Sequence, residues 1–218
     1  MYSKIFSATL LALFLSSANA GAHGSNPYHL DNMILNPFAV TGKIDTVATD
    51  PGHANWWAGD LSIDVVPHEG TVAGAPVIFK ARPRPPDTYV RGRILSGGSD
   101  LLKVVCWTGL PSSGGYFVKV GIEAKKGTGS WRTIGWVVYA HVDADVAFPN
   151  NAYLYDGTAF ATVTGSFANG CSTYPHLHVE FYNYNHYAGY VPRAEGSTFP
   201  ADGTLACVGG SRPSDVPC

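Results

Sequence analysis

The stretch His176-Leu177-His178-Val179-Glu180-Phe181 sets two histidines one residue apart inside an apolar, strand-like run. In an extended chain, residues i and i+2 project from the same face at roughly 7 Å spacing, so both imidazoles look into one pocket. Glu180 shares the face of His178. Neutral imidazole is the commonest zinc-type ligand, and it also moves protons near neutral pH. One strand can thus supply a metal ligand and a catalytic base.

The rest of the chain reads in the same register. Gly and Pro recur throughout, which weakens any helical pattern, and the apolar segments are short and rich in β-branched and aromatic residues. These are the marks of an all-β domain. Strands are expected at 62–66, 72–81, 91–95, 101–107, 116–123, 133–142, 159–164 and 176–182. Turn clusters separate them, such as Gly97-Gly98-Ser99-Asp100 and Lys126-Gly127-Thr128-Gly129. Arg82-Pro83-Arg84-Pro85-Pro86 reads as an extended loop, because proline is kept out of central strands. No internal repeat is visible.

The first twenty residues read as an export signal. Lys4 supplies the charge, residues 5–15 are a short apolar run, and Ala18-Asn19-Ala20 is a small-x-small cleavage pattern. A second such pattern ends at Ala22. No other stretch has the length of a bilayer span, so a secreted protein with no membrane span is expected. Lys4 is the one charge of that segment, so 13 cations face 16 acids in the remainder. That balance argues against nucleic acid as a partner, since phosphate binding is driven by clustered cations. The organisation expected is a signal peptide over 1–20, an N-terminal arm over 21–50, one main domain over 51–186 and a loop-rich tail over 187–218. A monomer is expected.

Cys106, Cys171, Cys207 and Cys218 are an even set, which in an exported chain favours two disulfides with three possible pairings. Cys207–Cys218 and Cys106–Cys171 are the pairing leaned towards. Thiolate metal ligation is the lesser reading, because no CxxC pair is present.

Three further stretches carry candidate site residues: Asp60-Leu61-Ser62-Ile63-Asp64, Tyr139-Ala140-His141-Val142, and Ser172-Thr173-Tyr174-Pro175 leading into the histidine pair. In order and approximate spacing, residues 59–182 resemble the lysostaphin/LytM-type zinc metallopeptidases, which cleave peptide cross-links of bacterial cell walls. Members of that family carry His-x-x-x-Asp, then Tyr-Ala-His-Leu, then Ser-Thr-Gly-Pro-His-Leu-His-Phe-Glu. The resemblance implies a single lysostaphin-like antiparallel β-sheet domain with long loops around a groove. It implies one zinc ion held by Asp60, Asp64 and His178, with His141 and His176 as the catalytic pair handling water and oxyanion. The substrate implied is a peptide or peptidoglycan, and the activity a secreted metalloendopeptidase. Asp60 stands where the family has its first histidine ligand.

Elementary geometry bears on that departure. Four residues of straight strand span roughly 13 Å, so Asp60 and Asp64 share an ion only if the chain bends between them. Two carboxylates would also acidify a bound water less than one. His53 and His68 are reserve ligands. Trp56, Trp57, Tyr182, Tyr184, Tyr187 and Tyr190 are candidates for lining a groove. Two functions of different classes therefore stand: a zinc endopeptidase, or a catalytically weak or inactive relative that keeps the fold and binds a cell-wall or protein partner.

Overall fold

The computed structural model describes residues 30, 33–47, 62–96, 102–103, 114–143, 148–165, 174–183 and 195–205. Among these the regular elements are strands: β1 (Gly42–Val47), β2 (Ser62–Pro67), β3 (Pro76–Phe79), β4 (Tyr89–Ser96), β5 (Leu102–Lys103), β6 (Tyr116–Lys125), β7 (Arg132–Val142), β8 (Tyr153–Leu154), β9 (Thr158–Thr162), β10 (Leu177–Asn183) and β11 (Thr198–Phe199). The main sheet is antiparallel and runs β11-β1-β2-β10-β7-β6-β4-β8, with β5 added beside β6. β3 and β9 form a separate two-stranded ribbon. A mostly-β single domain is what the short, turn-punctuated apolar runs require.

The period of two decides which face is the core. Leu177, Val179 and Phe181 of β10, Val118, Val120 and Ile122 of β6, and Ile63 and Val65 of β2 are all buried in one cluster. The β3–β9 ribbon caps that face. Phe160 of β9 meets Tyr139 of β7 edge-on, with ring centroids 5.1 Å apart. Phe79 of β3 presses on the sheet where β4 has Gly92; a Cβ there would lie 2.8 Å from Val120 and 2.9 Å from Phe79. Leu30, Met33, Ile34 and Phe38 complete the same cluster. Each large apolar side chain so buried contributes about 1.5–3 kcal/mol. The opposite face of the sheet carries the histidines.

The structure departs from the sequence pattern at short elements. β1 falls in the segment read as an arm and β11 in the segment read as a tail, and the two pair through Gly42 with Phe199 and Lys43 with Thr198. β11 has only two residues, and the six of β1, Gly42-Lys43-Ile44-Asp45-Thr46-Val47, show little apolar alternation. Residues 72–75 form a turn instead of strand: the Ala75 N–H donates to the Val72 carbonyl at 3.0 Å, and Gly74 takes φ 77°. β3 then begins at Pro76, a first position where the missing N–H costs nothing. Residues 82–84 are loop, as expected. The four cysteines, and with them the disulfide expectation, lie outside the described residues. Among the described residues no helix is long and apolar enough to cross a membrane.

Candidate functional site

β10 lies between β2 and β7, and this placement assembles the site. His178 stands opposite Asp64 on one side and Ala140 on the other. Because cross-strand partners point to the same face, Asp64 and His178 are brought together from 114 positions apart. His178 Nδ1 lies 2.9 Å from Asp64 Oδ1. Its Nε2 lies 2.9 Å from Glu180 Oε1, two residues along the same strand. Asp64 and Glu180 are both buried.

His141 reaches the same face by a break in periodicity. Val137 and Tyr139 of β7 point into the core, so a regular strand would send His141 there too. Instead His141 takes φ 62°, a left-handed conformation that costs roughly 1–2 kcal/mol for a residue with a Cβ. The phase shifts by one residue, and Val142 enters the core in its place. The His141 ring then sits edge-on to His176 at 4.6 Å between centroids, and 6.1 Å from His178. Its Nδ1 donates to the Gly114 carbonyl at 2.8 Å. A carbonyl can only accept, so the neutral ring's lone pair is on Nε2. Gly115, at φ 70°, shapes this corner; a Cβ there would meet the Val142 carbonyl oxygen at 2.8 Å.

The environments of His141 and His178 drive their protonation apart. Burial lowers the pKa of His141 to about 3, with the nearby His176 and His178 adding to the effect and outweighing the Gly114 hydrogen bond and the Asp64 charge. Burial also disfavours charge on His178, but the hydrogen bonds and charges of Asp64 and Glu180 prevail and raise it to about 10. At neutral pH the site therefore holds an imidazolium clamped between two carboxylates, beside a neutral imidazole.

His176 is buried, with Nε2 3.6 Å from Asp64 Oδ1 and Nδ1 donating to the Tyr174 carbonyl at 3.2 Å. The Tyr174 ring is 44% exposed and lies 6.0 Å from the His176 ring. Its hydroxyl donates to Asp45 of β1, which ties the approach to β10 across the sheet. The candidate stretch before the histidine pair contains Tyr174, whereas Gly114 and Asp45 fall in none of the candidate stretches. Gly114 contributes through its backbone and Asp45 meets Tyr174 across 129 positions, so no local motif marks either.

Asp64 and His178, expected as zinc ligands, do not form a metal site with the other described residues. Among the described residues no group of three or more His, Cys, Asp or Glu side chains could hold a metal ion. The physical reason is visible at His178. Both ring nitrogens of His178 lie 2.9 Å from carboxylate oxygens, Nδ1 from Asp64 and Nε2 from Glu180, so neither points into an open coordination position. The expectations of a zinc cofactor, a metalloendopeptidase and a hydrolase working through metal-activated water fall with the metal site. Asp60 and the reserve ligand His53 lie outside the described residues. His68 is exposed in the bend after β2, its N–H donated to the Thr41 carbonyl at 2.8 Å. Trp56, Trp57, Tyr184, Tyr187 and Tyr190 lie outside the described residues, and Tyr182 is on β10.

A cavity of about 550 Å³ lies elsewhere, lined by Leu35, Lys80, Arg82, Tyr89, Asp156 and Asp202 among others, and by none of the three histidines. Lys80 donates there to the carbonyls of Phe38 and Ala201. No family model, curated protein or solved structure matches this chain.

Proposed function

We propose that this chain is a lysostaphin-like protein that binds its target without cutting it, holding a cell-wall peptide over the histidine cluster. The observation that carries the reading is the state of His178. With both ring nitrogens bound to Asp64 and Glu180, it braces the sheet and is withdrawn from acid–base work or ligation. The surrounding groups suit recognition. Asp64 and Glu180 set two carboxylates against the one imidazolium of His178, a net negative charge that attracts an amine, and exposed Tyr174 offers an aromatic ring at the rim. The ordered motifs Tyr139-Ala140-His141 and Ser172-Thr173-Tyr174-Pro175-His176-Leu177-His178 support the lysostaphin-like assignment.

The test is titration of a fluorescent oligoglycine-bridged cross-link peptide with the purified chain, followed by mass spectrometry of the peptide after prolonged incubation. Saturable binding, intact peptide and weaker binding by Tyr174→Ala are expected. Cleavage that disappears in His141→Ala would overturn the non-catalytic reading, and absence of binding would overturn the peptide-binding one.

A further inference from the structure

The face of the sheet that carries the histidines continues across β7 and β6 to β4, and its far end is built differently. On β6 the residues opposite to the core are Lys119, Gly121, Glu123 and Lys125, and β4 adds Tyr89, Arg91 and Arg93 in register with Lys125, Glu123 and Gly121. Here the Arg91 guanidinium lies between two rings, 4.0 Å from the centroid of Trp131 and 3.8 Å from that of Tyr153. The Lys125 ammonium is 4.9 Å from Trp131 and 5.0 Å from Tyr89. The result is an alternating ladder: Tyr153, Arg91, Trp131, Lys125, Tyr89. Its two end rings are 45% and 53% exposed.

Glu123 locks the ladder from below. It binds Arg91 at 2.8 Å and Arg93 at 2.9 Å, and its side chain is only 10% exposed. An arginine flanked by two rings and held by a buried carboxylate has lost its freedom before any ligand arrives, so binding here costs little ordering entropy. The charge is also segregated. Among the described residues of this end of the sheet, Arg91, Arg93, Lys119 and Lys125 stand with the carboxylate Glu123, while nearby Asp87 is paired with Arg132, leaving a local excess of three positive charges in a chain whose formal net is −2.

We propose that this ladder is a binding platform for an acidic polysaccharide, a second contact beyond the peptide site. Sugar rings present flat C–H faces that stack on the outer sides of Tyr89 and Tyr153, while uronate or sulfate groups along the chain meet the positive excess centred on Lys125. Neither feature alone selects this partner. A neutral glycan would leave the cations unanswered, and an acidic peptide would leave the aromatic faces without flat rings to stack on.

The test passes the purified chain over immobilised polygalacturonate and over amylose, at low and at high salt. Retention on polygalacturonate that weakens with salt, and passage through amylose, are expected. Lys125→Gln should weaken retention by about threefold to fivefold, as expected for one exposed ion pair. Lys43→Gln, which removes the same charge at the opposite edge of the sheet, should leave it unchanged. Tyr153→Ala should weaken retention and Tyr153→Phe preserve it, so that loss of the ring is told apart from loss of the fold. The proposal is overturned by equal retention on amylose, by equal loss in Lys43→Gln, or by tighter binding to polyglutamate or single-stranded DNA. No cross-link peptide enters this assay, so its failure leaves the peptide reading standing, and failure of the peptide titration leaves this one standing.

Discussion

Asp64 and His178 are register partners on adjacent antiparallel strands, and their side chains close a 2.9 Å hydrogen bond on the face away from the core. With Glu180 on the other ring nitrogen, the pair makes His178 a brace between β2 and β10 that is charged at neutral pH. Breaking a buried ion pair from one side leaves the other charge uncompensated, typically at 3–5 kcal/mol. Asp64→Asn should therefore destabilise the fold by about 3 kcal/mol in urea unfolding and lower the His178 pKa in an NMR titration. An unchanged midpoint and an unchanged titration would show that the pair carries no weight.

The two shifted histidines give opposite limbs to a stability–pH profile. His178 is raised from 6.5 to about 10. Its contribution is thus complete below pH 6.5 and declines as pH rises toward 10. His141 is lowered from 6.5 to about 3. Its unfolded form binds a proton first, so stability is lost as pH falls from 6.5 toward 3. Each limb can be as steep as about 1.4 kcal/mol per pH unit. Chemical unfolding across that range should find a maximum near pH 6.5. His141→Asn, which tolerates the left-handed backbone, should flatten the acid limb alone.

Gly115→Ala tests the corner that seats His141. Its φ of 70° is unfavourable for alanine, and the added Cβ meets the Val142 carbonyl at 2.8 Å. A loss of about 1–2 kcal/mol is expected. The His141 Nδ1 proton resonance should also shift as the Gly114 carbonyl moves. A stable variant with an unmoved resonance would argue against this account.

Phe160→Ala tests the cap on the core. Phe160 is buried and packs edge-on against Tyr139. Truncation should cost about 3–4 kcal/mol and loosen the β3–β9 ribbon, seen as faster amide exchange at Val77 and Phe79. Slow exchange at those amides despite the truncation would mean that the ribbon is held by its neighbours instead.

Much of the sheet was legible because alternation is a local property. The runs at 116–123, 133–142 and 176–182 declare their strands, and β6, β7 and β10 lie there. The His-x-His spacing places both imidazoles on one face, and Glu180 with them. β8 and β11 were not legible, because two-residue edge strands owe their conformation to a partner and not to a pattern, and β1 was not because Gly42-Lys43-Ile44-Asp45-Thr46-Val47 has little apolar alternation. His141 reads as a core position of β7 by simple counting, and only its left-handed backbone moves it to the other face.

The sequence by itself determined a β-sheet chain and the residue types gathered at one site, because backbone periodicity and side-chain chemistry are carried residue by residue. Tertiary structure alone decided what those residues can do. Asp64 comes to His178 across 114 positions and occupies a nitrogen that a metal would need. Arg91, Trp131 and Tyr153 become a ladder only when β4, β8 and the approach to β7 converge. Hydrogen-bond partners and ring contacts between distant segments are set by strand order and register, and the spacing of residues along the chain carries neither.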